Sequence, residues 1–168
     1  LTPSDFGVAA MSSMVIAFAS ILWEAGLSKA LIQNQNEEKL GEMANVVFFS
    51  NFVLGLFVYC FLFIFSDSIS HLFGDERISN VLKVSGLIVV IGSFSSVQTA
   101  LFQKDFAFKN LFFCRLITAV VPGTISVILA YLGYGYWALI LGSVVSSLFQ
   151  ALILWNLSLW RPRVHYDL

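Results

Sequence analysis

Charge is what this chain most lacks: from residue 116 to residue 160, 45 consecutive positions, there is no Asp, Glu, Lys or Arg. A bilayer core of roughly 30 Å takes about 20 apolar residues at about 1.5 Å rise each. The stretch therefore holds two crossings with a tight turn at Gly133-Tyr134-Gly135 between them. Over the whole chain 58% of residues are hydrophobic and only 11% charged, with 17 Phe and a mean hydropathy of +0.86. Nine Lys+Arg and ten Asp+Glu are too few to cover a 168-residue domain in water, so the solvent is lipid. A net charge of -1 without a basic stripe excludes nucleic acid as a partner.

Chemistry-bearing groups are equally scarce. Cys60 and Cys114 fall inside apolar runs without C-x-x-C or Cys/His spacing, so neither a metal nor a cofactor is expected, and both thiols read as small buried hydrophobes. His71 and His165 stand alone, and no Ser/His/Asp, Cys/His or H-E-x-x-H arrangement occurs, so the chain does not read as an enzyme. Gly133-Tyr134-Gly135 with Ala138 has the G-x-G-x-x-A form, but a dinucleotide-binding turn needs a preceding strand, and here membrane helices flank it. The chain starts at Leu1 in a turn-like LTPSDFG with no basic start, short apolar core and cleavage site. It is expected to be a fragment whose upstream end, including another span, is missing.

What is present is an all-α, polytopic transmembrane bundle of about five spans, at residues 6–32, 43–66, 78–103, 110–132 and 136–160, forming one domain over 1–168. The third has an amphipathic lead-in from Ile78. Threading them alternately puts Lys29, Lys39, Lys104, Lys109, Arg115, Arg161 and Arg163 on one side and only Arg77 and Lys83 on the other. By the positive-inside rule the first side is cytoplasmic, so the amino end faces outward and the carboxyl end inward. Trp23, Trp137, Trp155 and Trp160 fall near span ends, as an interfacial belt does. Small residues at four-residue spacing, Ala9, Ser13 and Ala17 on the first span and Gly142 with Ser146 or Ser143 with Ser147 on the last, are expected to face the bundle.

Within the spans, Glu24 is an ionisable group that needs a partner, water or a cavity. Lys29, five residues on, is rotated about 140° from it on a helix and does not share its face. Arg115 lies at a similar depth, so a Glu24–Arg115 pair across helices is one arrangement; snorkelling of both charges to cytoplasmic water is the other. Pro122-Gly123 near the middle of the fourth span frees the carbonyl of Thr118 and predicts a kink, which serves either as a hinge or as ordinary helix shape.

The residues at these positions resemble a known family, the bacterial polysaccharide flippases, oligosaccharide-lipid exporters of the MOP (MATE-like) superfamily. LTPSDFG at 1–7 looks like that family's short outward loop, GLSKALIQ at 26–33 like the segment closing its second span, and FGD at 73–75 like its outer-loop signature. LFQKDFAFK at 101–109 resembles its inner loop, GYGYWAL at 133–139 its later outer turn, and WRPR at 160–163 the close of the same lobe. Ser4 and Ser28 depart from positions there often acidic and glycine. Family members have about twelve to fourteen spans in two lobes, so the resemblance covers what would be spans two to six of the N-terminal lobe.

The resemblance implies a multi-pass protein of the bacterial cytoplasmic (inner) membrane. Such a protein moves an undecaprenyl-diphosphate-linked oligosaccharide to the outer leaflet during lipopolysaccharide or exopolysaccharide synthesis, by alternating access of two lobes. A diphosphate and sugars cannot cross hydrocarbon unaided, so the cavity must offer polar and cationic partners. Arg115 is the first candidate, with Lys29 and Lys104, expected to be more exposed, drawing the head group to the entrance. Glu24 is a candidate for ion coupling, and Pro122 and Gly123 for a hinge. The partners implied are the lipid-linked glycan, membrane lipid and the missing spans. The alternatives are a multidrug or cation exporter of the same superfamily and a non-transport membrane protein of glycan assembly. A glycan polymerase or ligase would carry a larger outer loop than the one from Ser66 to Arg77.

Overall fold

The structure, a computed structural model, describes residues 2–23, 27–33, 39–104, 108–158 and 160–162. Among the described residues the chain is all-helical: α1 (Pro3–Trp23), α2 (Leu27–Gln33), α3 (Leu40–Phe73), α4 (Arg77–Ser85), α5 (Leu87–Lys104), α6 (Phe108–Tyr131) and α7 (Trp137–Leu157). Four spans, Pro3–Ile21, Leu40–Phe73, Arg77–Lys104 and Trp137–Leu157, are long and apolar enough to cross a membrane. In α6 the apolar portion is Thr118–Tyr131. Glu24, residues 34–38 and 105–107 of the two basic connectors, and residues 163–168 lie outside the described residues.

The ends of these helices follow from local chemistry. Thr2 and Asp5 form a reciprocal cap: the Asp5 N–H donates to Thr2 Oγ1 at 3.3 Å and the Thr2 N–H to Asp5 Oδ2 at 2.7 Å, with Pro3 at the first helical position. LTPSDFG is thus not a turn; from Pro3 onward it is helix, because Pro lacks only an N–H that the first turn leaves unpaired anyway. α3 stops at Gly74, whose φ of 72° lets the Asp75 N–H reach back to Ser70 O at 3.3 Å. The α6–α7 turn closes the same way: Gly133 has a φ of 87°, and the Tyr134 N–H donates to Leu129 O at 3.1 Å. α4 and α5 join at Gly86, where a side chain would run into the Tyr59 ring of α3.

α5 sits at the centre, packed against α3, α7 and α2, while α6 pairs with α7, and α4 is held between α1 and α3. One apolar cluster joins Val8 and Ile16 of α1, Val58 and Leu62 of α3, Val81 and Leu82 of α4 and Ile140 of α7. A second, around Leu31, Phe48, Val97 and Ala100, closes the other end. There Phe94 and Trp155 stack at 4.5 Å, the Trp155 indole N–H donates to Phe94 O at 3.2 Å, and the Arg161 guanidinium lies 5.4 Å from the Trp155 ring centre. Trp155 therefore fastens α7 to α5 as well as standing near a span end.

At the opposite end Arg77 ties three helices. Its Nη2 donates to Ser4 Oγ at 2.6 Å and to Asp75 Oδ2 at 2.7 Å; its Nη1 lies 3.8 Å from Asp5 Oδ1, and its guanidinium 5.8 Å from the Tyr136 ring centre. Beside it Ser79 donates to Asp67, which also accepts from Lys83 Nζ at 3.3 Å. The helix surfaces between the two ends are apolar and exposed, for example Val53, Phe57 and Ile64 on α3. That suits lipid and would not suit water.

Two expectations about burial are corrected. On α1 the buried residues among those described are Asp5, Val8, Ser12, Ile16 and Ala19, whereas Ser13 and Ala17 are exposed and Ala9 half-buried. A four-residue spacing marks a face but not which face meets the bundle when every alternative is also apolar. Cys60 is exposed on α3, one position beyond the Tyr59 that packs against Gly86, so it is not a core residue.

Candidate functional site

Neutral polar side chains inside apolar helices are the groups most in need of explanation here. α5 carries Gly92, Ser95, Ser96, Thr99 and Gln103, one face of a helix at intervals of three or four with Ser95 and Ser96 side by side, and this stripe lines a cleft of about 380 Å³ facing α2 and α7. Ser28, Lys29 and Ile32 of α2 form one wall and Gln150 of α7 another. Gly92 to Gln103 is twelve residues and eleven steps, a groove roughly 16 Å long at about 1.5 Å per step.

Asn51 of α3 organises the cleft from behind. It is fully buried, and its amide nitrogen donates to Ser28 Oγ at 3.1 Å and Ser96 Oγ at 3.0 Å, tying the two polar walls together. Its Oδ1 has no hydrogen-bond partner among the described residues, nor does either amide atom of the fully buried Gln98. Orphaned amides in a membrane interior carry a desolvation cost that only a polar neighbour or solvent removes. Next to this site α5 and α7 enclose a second cavity of about 390 Å³, lined by apolar side chains including Val90, Phe94, Leu148 and Leu152. The α5–α7 pair therefore separates a hydroxyl-rich surface from a hydrocarbon-like one.

The charged candidates are distributed around this cleft rather than gathered in it. Lys29 lines the cleft. Lys104, expected to be exposed, is half-buried, and its Nζ is enclosed without a hydrogen-bond partner among the described residues. The long side chain folds back onto the protein at the end of α5. Arg115 is exposed on α6 and makes no ion pair among the described residues. Glu24, and with it the Glu24–Arg115 pair, lies outside the described residues.

Pro122 leaves α6 unbroken from Phe108 to Tyr131. The carbonyl it frees, Thr118 O, accepts a hydrogen bond from Ser146 Oγ of α7 at 3.0 Å. Four residues earlier on α7, Gly142 brings the backbones together: a side chain there would strike Ser126 Oγ and come within 3.0 Å of Pro122 O. Ser126 Oγ in turn donates to Ala138 O at 3.0 Å. Of the small residues expected at this interface, Gly142 and Ser146 are buried, while Ser143 is exposed and Ser147 half-buried. Gly123 has open space where a side chain would go.

In the sequence the charges stand out, and Asn51, Ser96, Gln98, Thr99 and Gln150 do not, while Ser28 shows only as a departure from the family's glycine. The signal was present in the three- and four-residue spacing of hydroxyls and amides on α5. Only the position of α2 and α7 tells that stripe from solvent-neutral helix packing.

Comparison with known proteins adds the biological setting. Residues 1–168 match a family described as polysaccharide biosynthesis protein. The chain is 29% identical to the succinoglycan biosynthesis transport protein ExoT of Rhizobium meliloti (strain 1021), over all of this chain and 34% of that protein. It is 25% identical to the lipopolysaccharide biosynthesis protein WzxC of Escherichia coli (strain K12), over 98% of this chain and 33% of that one. An uncharacterized membrane protein in the cps region of Klebsiella pneumoniae is 32% identical over 66% of this chain and 22% of its own length. The chain thus spans about a third of the length of ExoT and WzxC. No solved structure matches it significantly.

Proposed function

We propose that this chain, which belongs to the polysaccharide biosynthesis protein family over its whole length, forms part of a transporter that carries an undecaprenyl-diphosphate-linked oligosaccharide across the inner membrane. The observation that carries the reading is a polar cleft built into helices whose outer faces are apolar. Lipid-facing surfaces keep the bundle in the bilayer, and the cleft gives a hydrophilic molecule hydrogen bonds where hydrocarbon gives none. A relative named for succinoglycan transport, aligned over the whole of this chain, points to glycan as the cargo.

In this scheme the basic connectors face the cytoplasm and α1 begins outside. Lys29 meets the anionic head group at the cleft. Arg115, on a face of α6 that this chain leaves open, and Lys104 extend that cationic path once the remaining helices of the transporter are in place. Pro122 with Gly123 gives α6 a point of bending whose freed carbonyl stays paired to Ser146, and Glu24 is the group assigned to ion coupling. The two lobes then alternate between inward- and outward-open arrangements.

Reconstitution of the full-length transporter into liposomes loaded with the lipid-linked oligosaccharide tests this. Exposure of the glycan to an external glycosidase should be accelerated by protein. Efflux of a small organic cation with no glycan movement would instead place the chain among multidrug exporters. Arg115→Ala and Glu24→Gln should each slow the glycan assay; unchanged rates would remove those residues from the mechanism.

A further inference from the structure

The cargo of the function proposed above has two chemically unlike polar parts, an anionic diphosphate and neutral sugars. We propose that the hydroxyl face of α5 in the α2/α5/α7 cleft, with Gln103 and Gln150, is the subsite for the sugars and that this face does not take the diphosphate, which falls to Lys29; this rests on the flippase reading. The lining decides between the two. The hydroxyl hydrogens of the α5 wall are spent on the helix's own carbonyls: Ser95 donates to Ile91 O at 3.2 Å, Ser96 to Ser93 O at 2.9 Å and Thr99 to Ser95 O at 3.1 Å. What each oxygen has left to offer the cleft is lone pairs.

A wall of acceptors suits hydroxyl groups, which can donate to it. A diphosphate diester has acceptor oxygens only and would set lone pair against lone pair on this wall, and among the described residues Lys29 is the one cation lining the cavity. Gln103 and Gln150 supply amides that both donate and accept, completing the pattern that a polyol needs. The wall is also rigid, since buried Asn51 holds Ser28 and Ser96 at fixed separation from behind. A volume of about 380 Å³ is in the range of small-molecule sites. The diphosphate is left to Lys29, on the α2 wall, and to cations outside the cleft.

The test uses the full-length transporter in lipid nanodiscs with two soluble probes: the repeat-unit oligosaccharide released from the host cell's own lipid-linked pool, and inorganic pyrophosphate. Thr99→Val and Gln150→Leu are each expected to weaken oligosaccharide binding by about ten-fold or more, with pyrophosphate binding unchanged. Thr99→Ser, which keeps the hydroxyl, should bind as the parent does. Equal oligosaccharide affinity in parent and variants, or competition between the two probes for the α5 face, overturns the proposal. Should a variant misassemble, Thr99→Cys in a background free of other thiols gives an independent reading: a water-soluble thiol reagent should label it, and the oligosaccharide but not pyrophosphate should protect it. No labelling, or no protection, also overturns the subsite. Lipid-linked glycan transfer in liposomes separates the two levels. A parent protein that moves no glycan defeats the flippase reading itself, whereas normal transfer by parent and variants alike defeats only the sugar subsite.

Discussion

At the scale of single residues, the bond from Ser146 Oγ to Thr118 O shows how a proline is tolerated within the membrane: the acceptor it strands is taken up by a neighbouring helix. Ser146→Ala should lower stability by about 1 kcal/mol, read as the unfolding midpoint in detergent, because membrane-interior hydrogen bonds are worth little more than those in water. Asp75, in the turn between α3 and α4, makes a second prediction. Hydrogen bonds from the Arg77 side chain hold its carboxyl below the usual carboxylate range. A carboxylate with a lowered folded-state pKa stabilises the fold above its unfolded value, near about 3.9, and that contribution fades as pH falls through the lowered one. Acidification below about pH 4 should therefore destabilise the parent more than an Arg77→Met variant, in thermal scans at matched ionic strength. Charged residues were the easiest to single out in the sequence and the hardest to place. Nothing in the letters distinguishes an exposed Arg115 from an enclosed Lys104 Nζ, because long side chains take their final position from neighbours.

At the scale of helices, the α6–α7 hairpin was the most legible part of the chain. Its uncharged run and its Gly133 turn follow from composition, whereas spacing offered Gly142 with Ser146 and Ser143 with Ser147 alike and only the first pair is buried. The face of α1 was not legible, since lipid is as apolar as the core and hydrophobicity cannot tell one from the other. The glycine at the α4–α5 junction also went unread, because what excludes a side chain at Gly86 includes the Tyr59 ring on another helix. Close approach to a neighbouring helix makes Gly55 and Gly142, like Gly86, vulnerable. At Gly55 a side chain would lie 2.6 Å from Ser93 Cβ, and at Gly142 within 3.0 Å of Pro122 O. Gly55→Val should force α3 from α5, and Gly142→Val α7 from α6, each costing about 1–3 kcal/mol and lowering the yield of monodisperse protein on gel filtration. Gly123→Ala, with open space around it, should do neither.

At the scale of the whole molecule, all-helical, polytopic architecture was readable because a bilayer imposes length and composition on every span. The cleft was not, because it exists only where α2, α5 and α7 meet. Sidedness is checked by cysteines placed one at a time in the connectors: position 106 should be labelled by an impermeant reagent only after cells are opened, and position 134 in intact cells. α3 carries a last consequence. Its 34 residues measure about 51 Å, against roughly 40–45 Å for a bilayer with its head groups. The helix must lean, stand proud of the surface, or thicken the lipid around it, each at a modest cost per ångström. The turns from Ser66 onward, with Asp67 and His71, are its polar C-terminal part, so that end should stand clear of the hydrocarbon: a cysteine at position 68 should react with an impermeant thiol reagent and one at position 57 should not.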